Sequence, residues 1–194
     1  MPGIEIRGID KRFGEKQVLR NLSLTLPFGE VTCLMAPSGA GKTTLVRILL
    51  GLLKPDAGTV EGLDGKRIAA VFQEDRLMED MSAVSNLRLF VPALSPMKAM
   101  DALSGFGLDG SADQPVRELS GGMRRRVALL RGLLADWDFL ALDEPFKGLD
   151  EATRADIIRR TRAFTDGRTV LLVTHDPEEA RLMGARVIPL DGRL

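Results

Sequence analysis

The stretch Val31–Leu45, VTCLMAPSGAGKTTL, constrains the fold more than any other part of the chain. A five-residue apolar run, a glycine-containing loop and the start of an amphipathic segment succeed one another. That order lets a strand deliver the backbone N–H groups of a helix N-terminus to an anion. Gly39, Gly41, Lys42, Thr43 and Thr44 stand where a phosphate cradle needs them, whereas Ala36 occupies the place of its first glycine. The N–H groups from Ser38 through Gly39, Ala40 and Gly41 to Thr43 are expected to wrap phosphate. Lys42 is expected to reach the outer phosphates, and the Thr43 hydroxyl to ligate Mg2+. A positive φ at position 36 would cost alanine roughly 1 kcal/mol.

The segment after the loop reads as a helix from about Lys42 to Leu50, with Leu45, Ile48 and Leu49 on one face and Gly51 closing it. Upstream, Ile4 and Ile6, and then Leu22, Leu24 and Leu26, alternate with other residues between turn signals. These predict short antiparallel strands. Downstream lie the apolar runs IAAVF, FLAL, TVLLV and RVIPL, the last a terminal edge where Pro189 is tolerated. Near-continuous apolar runs are the mark of strands buried on both faces, as in a parallel sheet under helices. Such sheets bind ligands beyond the carboxyl ends of their strands.

The residues at the carboxyl ends of these runs therefore point to function. Gln73 succeeds the first run, Asp143 and Glu144 the second, and Thr174 and His175 the third, so Lys42 and these residues are expected to converge on one sheet edge. Asp143 at the end of a buried strand needs a cation, and Mg2+ suits it. Glu144 is placed to polarise an attacking water. His175, the single histidine, is a candidate donor to a terminal phosphate or to that water. Gln73 is a candidate contact to Mg2+ and water.

Leu77–Glu118 contains no buried-strand run, and Ser95-Pro96 starts a helix in which Met97, Met100 and Leu103 recur at helical spacing. This predicts a short helical insertion over 77–118 between two parts of one core, 1–76 and 119–194. Its Met-rich face is expected in the core, with docking as the second reading. In RELSGGMRRRVALL, Ser120 with Gly121 and Gly122 forms a second anion-ready helix start, and Arg124–Arg126 read as the solvated part of that helix.

Composition narrows the partners. Lys plus Arg and Asp plus Glu both number 27, so no net field gathers nucleic acid, and none is expected. Cys33 reads as core filling. No run approaches the roughly 18 apolar residues of a membrane span, and the N-terminal sequence has no signal-peptide core, so a soluble cytosolic chain is expected.

Taken together, these motifs resemble the nucleotide-binding domain of ATP-binding cassette (ABC) transporters over nearly the whole chain. Phe13 resembles the aromatic that stacks on adenine, and APSGAGKTT resembles the Walker A loop. Gln73 in VFQED resembles the Q-loop, LSGGM the signature and FLALDEP the Walker B strand with its glutamate. Gly148–Asp150 resembles the D-loop, and His175 the switch histidine. The fold implied is α/β: a P-loop NTPase of ABC type, with a mostly parallel core, an N-terminal antiparallel β part and a helical subdomain. The resemblance further implies ATP with Mg2+ and a head-to-tail pair of cassettes, identical or not. Ser120, Gly121 and Gly122 of one chain would complete the other's phosphate site. It also implies a transmembrane permease docked on the helical insertion, a solute-binding protein, and a peripheral place on the inner face of the membrane. VFQEDRLMEDMSAVSNL resembles importers of nitrate, sulfonates and taurine. Met123 departs from the usual glutamine, and from the chain's length no C-terminal regulatory domain is expected. A regulatory module with weak turnover, suggested by Ala36 and Met123, is the alternative.

Overall fold

The computed structural model describes residues 3–35 and 39–189. The expectations attached to Ala36 and Ser38 lie outside them. Strands β1 (Gly3–Phe13), β2 (Lys16–Pro27) and β3 (Val31–Met35) lead to helix α1 (Lys42–Leu49). Then come β4 (Ala57–Glu61), β5 (Ile68–Val71), α2 (Ala83–Phe90), α3 (Pro96–Gly105), α4 (Gly121–Leu134) and β6 (Phe139–Asp143). Helix α5 (Glu151–Thr165), β7 (Thr169–Thr174), α6 (Pro177–Leu182) and β8 (Arg186–Pro189) complete the order.

The opening strands are longer than the sequence suggests, at 11 and 12 residues, and form one antiparallel hairpin closed at Phe13 and Lys16. Strand β4 pairs with the other edge of β1 and makes a three-stranded sheet, β2-β1-β4. Alternation gives no hint of β4, because in AGTVE only Val60 is a large apolar residue and the rest are exposed.

The second sheet is parallel, in the order β5-β6-β7-β3-β8. Strands β6 and β7 are buried at every position. Side chains alternate between faces of a strand, and two apolar layers result. Cys33, Leu140, Leu142, Val170 and Leu172 pack with the helices on one side. Leu34, Phe139, Ala141, Leu171 and Val173 pack with α1 and the antiparallel sheet on the other. Each such leucine contributes about 1.5–3 kcal/mol by leaving water. Strand β5 departs from the expectation: it is the sheet's edge, and only Val71 is buried.

In the 77–118 segment, the Ser82 and Ser95 hydroxyls accept from Ser85 N and Lys98 N and cap α2 and α3. Met97 and Met100 are 66% and 41% exposed, so they lie outside the core, whose α3 members are Ala99 and Leu103. The geometry explains the correction. Three-residue steps drift by about 60° each, so Met97 ends about 120° from Leu103, whereas Ala99 and Leu103 lie about 40° apart. Bonds from Val116 N to Met81 O (3.0 Å) and from Arg117 N to Glu79 O (3.0 Å) close the segment where it leaves and rejoins the core. Among the described residues no helix is long and apolar enough to cross a membrane.

Candidate active site

At the carboxyl edge of the parallel sheet lies a cleft of about 570 Å³. Its lining includes Phe13, Gly39, Gly41, Lys42, Thr43, Thr44, Gln73, Asp143 and Glu144. Residues scattered from position 13 to position 144 are thus gathered by the sheet order. Gly41 caps α1 at φ 78°, a left-handed conformation, and a Cβ there would meet Leu19 Cδ2 at 2.8 Å and Val18 O at 3.0 Å. Both conformation and space therefore require glycine at this position. Lys42 is buried at the head of α1, and no side chain among the described residues caps that helix. Ala40 packs partly buried against the α1 side of the core. Phe13 stands half-exposed at the rim, with Lys11 Nζ 5.8 Å from its ring centroid.

The floor is built by two backbones. Thr43 Oγ1 donates to Asp143 Oδ2 at 2.8 Å, tying the first turn of α1 to the end of β6. Burial pushes the Asp143 carboxyl above its ordinary range; the Thr43 bond opposes this, while Glu144 adds to it. Glu144 has φ 47°, a strained conformation for a residue with a side chain, held where its N–H donates to Val173 O at 2.8 Å. One Glu144 oxygen lies 3.4 Å from His175 Nδ1 and the other 3.5 Å from Lys147 Nζ. His175 does not line the main cleft; it lines a smaller adjoining one of about 170 Å³, which Glu144 and Lys147 share. Behind His175, the Thr174 hydroxyl donates to buried Glu179 at 2.5 Å and accepts from Asp176 N, which orders this turn.

Ser120, Gly121 and Gly122 are not brought into this cleft. Ser120 caps α4, its hydroxyl accepting from Met123 N at 3.3 Å, and the helix start is open to solvent at Ser120 and Gly121.

The arginine run is not a solvated helix face. Arg125 is 4% exposed and points into the core, Arg126 donates to Phe106 O and Gly107 O, and Arg124 is half-buried. Three charges in succession spread over about 200° of a helix, so at least one must turn inwards when the helix packs on two sides. That periodicity is present in the sequence; the receiving carbonyls are not. Lys16, Arg47 and Lys147, which also line the cleft, have no motif to mark them.

The donor set suits a nucleotide with a divalent ion. Among the described residues no three His, Cys, Asp or Glu side chains cluster as a metal site. A magnesium ion here would therefore take a few protein oxygens and complete its shell with phosphate and water, its usual habit.

Comparisons with known proteins agree with this geometry. The family model described as ABC transporter matches residues 19–147. The chain is 40% identical over 207 residues to Nod factor export ATP-binding protein I of Ralstonia nicotianae, covering 98% of this chain and 64% of that protein. It is 42% identical over 197 residues to aliphatic sulfonates import ATP-binding protein SsuB 1 of Nocardia farcinica, covering 97% and 78%. A dimeric ATP-binding cassette solved in a post-hydrolysis state with ADP and Pi superposes with a TM-score of 0.84, at 30% identity, over 96% of this chain and 94% of that one.

Proposed function

The chain belongs to the ABC transporter family, and from that premise we propose that it is the ATP-binding and ATP-hydrolysing subunit that energises solute transport through a partner permease. The observation that carries this reading is the convergence of Lys42, Thr43, Asp143 and Glu144 on one cleft, with His175 against Glu144. Lys42 and the Gly39–Thr43 backbone would hold the phosphates, and Phe13 would stack on the base. Thr43 and Asp143, with Gln73, would hold Mg2+, which when bound neutralises charge on the phosphates. Glu144 would orient a water and accept its proton, with His175 as hydrogen-bond partner.

Of the two anion-ready helix starts, that of α1 lies at the cleft and that of α4 does not, which favours a paired cassette in which Ser120, Gly121 and Gly122 complete the partner chain's site. We take 77–118 as a helical subdomain inside a core of 1–76 and 119–194. Exposed Met78, Leu89, Phe90, Met97 and Met100 on that subdomain support docking onto a transmembrane permease, and so a peripheral place at the inner face of the membrane. A solute-binding protein completes the proposed assembly if the direction is import, as for the sulfonate relative rather than the Nod factor one. Steady-state phosphate release by the purified chain, measured beside Glu144→Gln, tests the reading. Equal rates in the two would remove Glu144 from its role, and no release by the parent would leave a regulatory module.

A further inference from the structure

Arg125 occupies an unusual position for a charged side chain. It sits one turn into α4, and its guanidinium reaches the carboxyl ends of two neighbouring strands at once. Nε donates to Pro145 O at 2.8 Å, and Nη2 to Glu144 O at 2.7 Å and Asp143 O at 3.3 Å. Nη1 donates to Phe72 O at 2.6 Å and Gln73 O at 3.3 Å, and lies 3.3 Å from Asp75 Oδ1, its ion-pair partner. A guanidinium has five N–H donors in a rigid plane, and here all three of its nitrogens are engaged, five of the six acceptors being backbone carbonyls. Burying this charge is costly until the contacts offset it. An apolar residue would avoid the burial of charge but leave these carbonyls without their donor.

The carbonyls it gathers belong to the two loops that place Gln73 and Glu144 at the cleft. One of them belongs to Glu144 itself, whose φ of 47° needs an outside constraint to persist. The helix that carries Arg125 is capped by Ser120, five residues earlier in the sequence.

We propose that Arg125 is a positioning residue that locks the Gln73 loop and the Glu144 turn to each other and to α4, so that a displacement of the Ser120 end of α4 reaches both loops together. The role rests on the ATPase reading above: Arg125 does not line the cleft, and acts by where it holds Glu144 and Gln73. Lysine, a point charge with three donors, reaches one loop but not both; glutamine keeps polarity and loses the fork.

The test compares Arg125→Gln and Arg125→Lys with the parent in ATP affinity, phosphate release, thermal midpoint and hydrogen exchange over peptides spanning 72–76 and 143–149. In Arg125→Gln, kcat is expected to fall at least tenfold while the ATP Kd changes less than threefold. Exchange is expected to rise in both loops together, and Arg125→Lys to recover part of kcat. Loss of protection in one loop only, or over the whole parallel sheet, would overturn the proposal, as would kcat and ATP affinity falling in parallel. If the parent chain itself releases no phosphate, the ATPase reading fails. The paired rise in exchange then decides by itself whether Arg125 joins the two loops.

Discussion

The Thr43 hydroxyl donates to Asp143 Oδ2 across 2.8 Å of space and 100 residues of sequence. This bond joins the helix of the phosphate loop directly to the acidic end of β6. It also leaves Asp143 with a buried negative charge that is only partly answered.

Asp143→Asn is therefore expected to stabilise the nucleotide-free protein while weakening Mg2+-dependent binding of ATP. The native Asp143 carboxyl is raised above its unfolded value, so its cost is absent below the unfolded pKa and fully present above the native one. Thermal midpoints should rise by a few degrees at pH 7 and change little near pH 3. Mg2+ should no longer increase the shift caused by ATP. A lower midpoint at pH 7 would show that the Thr43 bond outweighs the buried charge.

Glu144→Gln keeps the shape of the turn and removes the proton acceptor. Phosphate release is expected to fall about 100-fold or more, with ATP binding retained. Light scattering should show a dimer with Mg-ATP and a monomer without it. A monomer in both conditions, with ATP demonstrably bound, would count against two composite sites.

Lys42→Ala removes a cation from the head of α1. A charge-assisted hydrogen bond is worth about 1.5–3 kcal/mol, which corresponds to roughly 10- to 150-fold weaker ATP binding. Isothermal titration at fixed Mg2+ measures it. Affinity within twofold of the parent would place the phosphates elsewhere.

Gly132→Ala sets two effects against each other in α4. Helix propensity alone favours alanine by about 1 kcal/mol. The new Cβ would clash with Val71 Cγ2, and overpacking of this kind costs about 1–3 kcal/mol. Val71 is β-branched and stiff, so net destabilisation is expected in urea unfolding, relieved when Val71→Ala accompanies it. A stabilised single variant would mean that β5 yields freely.

Cys33 is pushed up to about 12 by burial, with Glu179 adding to the effect. Iodoacetamide at pH 8 should label it slowly in the native protein and promptly in urea, since the thiolate is the reactive form. Prompt native labelling would indicate local opening of β3.

Much of the site is legible in the sequence because it depends on where strands end. Once β3, β6 and β7 are read from their apolar runs, Lys42, Asp143, Glu144 and His175 have to meet near one edge. The same reading fails where position within the sheet matters. IAAV has the composition of an interior strand but forms an edge, a difference set by topology and not by local hydrophobicity. Strand β4 escapes detection because it is held by pairing with β1, with little burial of its own. Arg125 is taken for a solvated residue because a charge in sequence says nothing about which carbonyls await it, and only the junction of β5, β6 and α4 supplies them.

The edge position of β5 has a mechanical consequence. Asp143 and His175 leave strands paired on both sides, whereas Gln73 leaves one with a single ladder. Local opening is easiest where the fewest backbone bonds must break, so the loops around the cleft form a graded set of springs, two stiff and one compliant. The compliant one borders the 77–118 segment. A push arriving there would load the Gln73 loop first and pass to the Glu144 turn through the carbonyls that Arg125 holds.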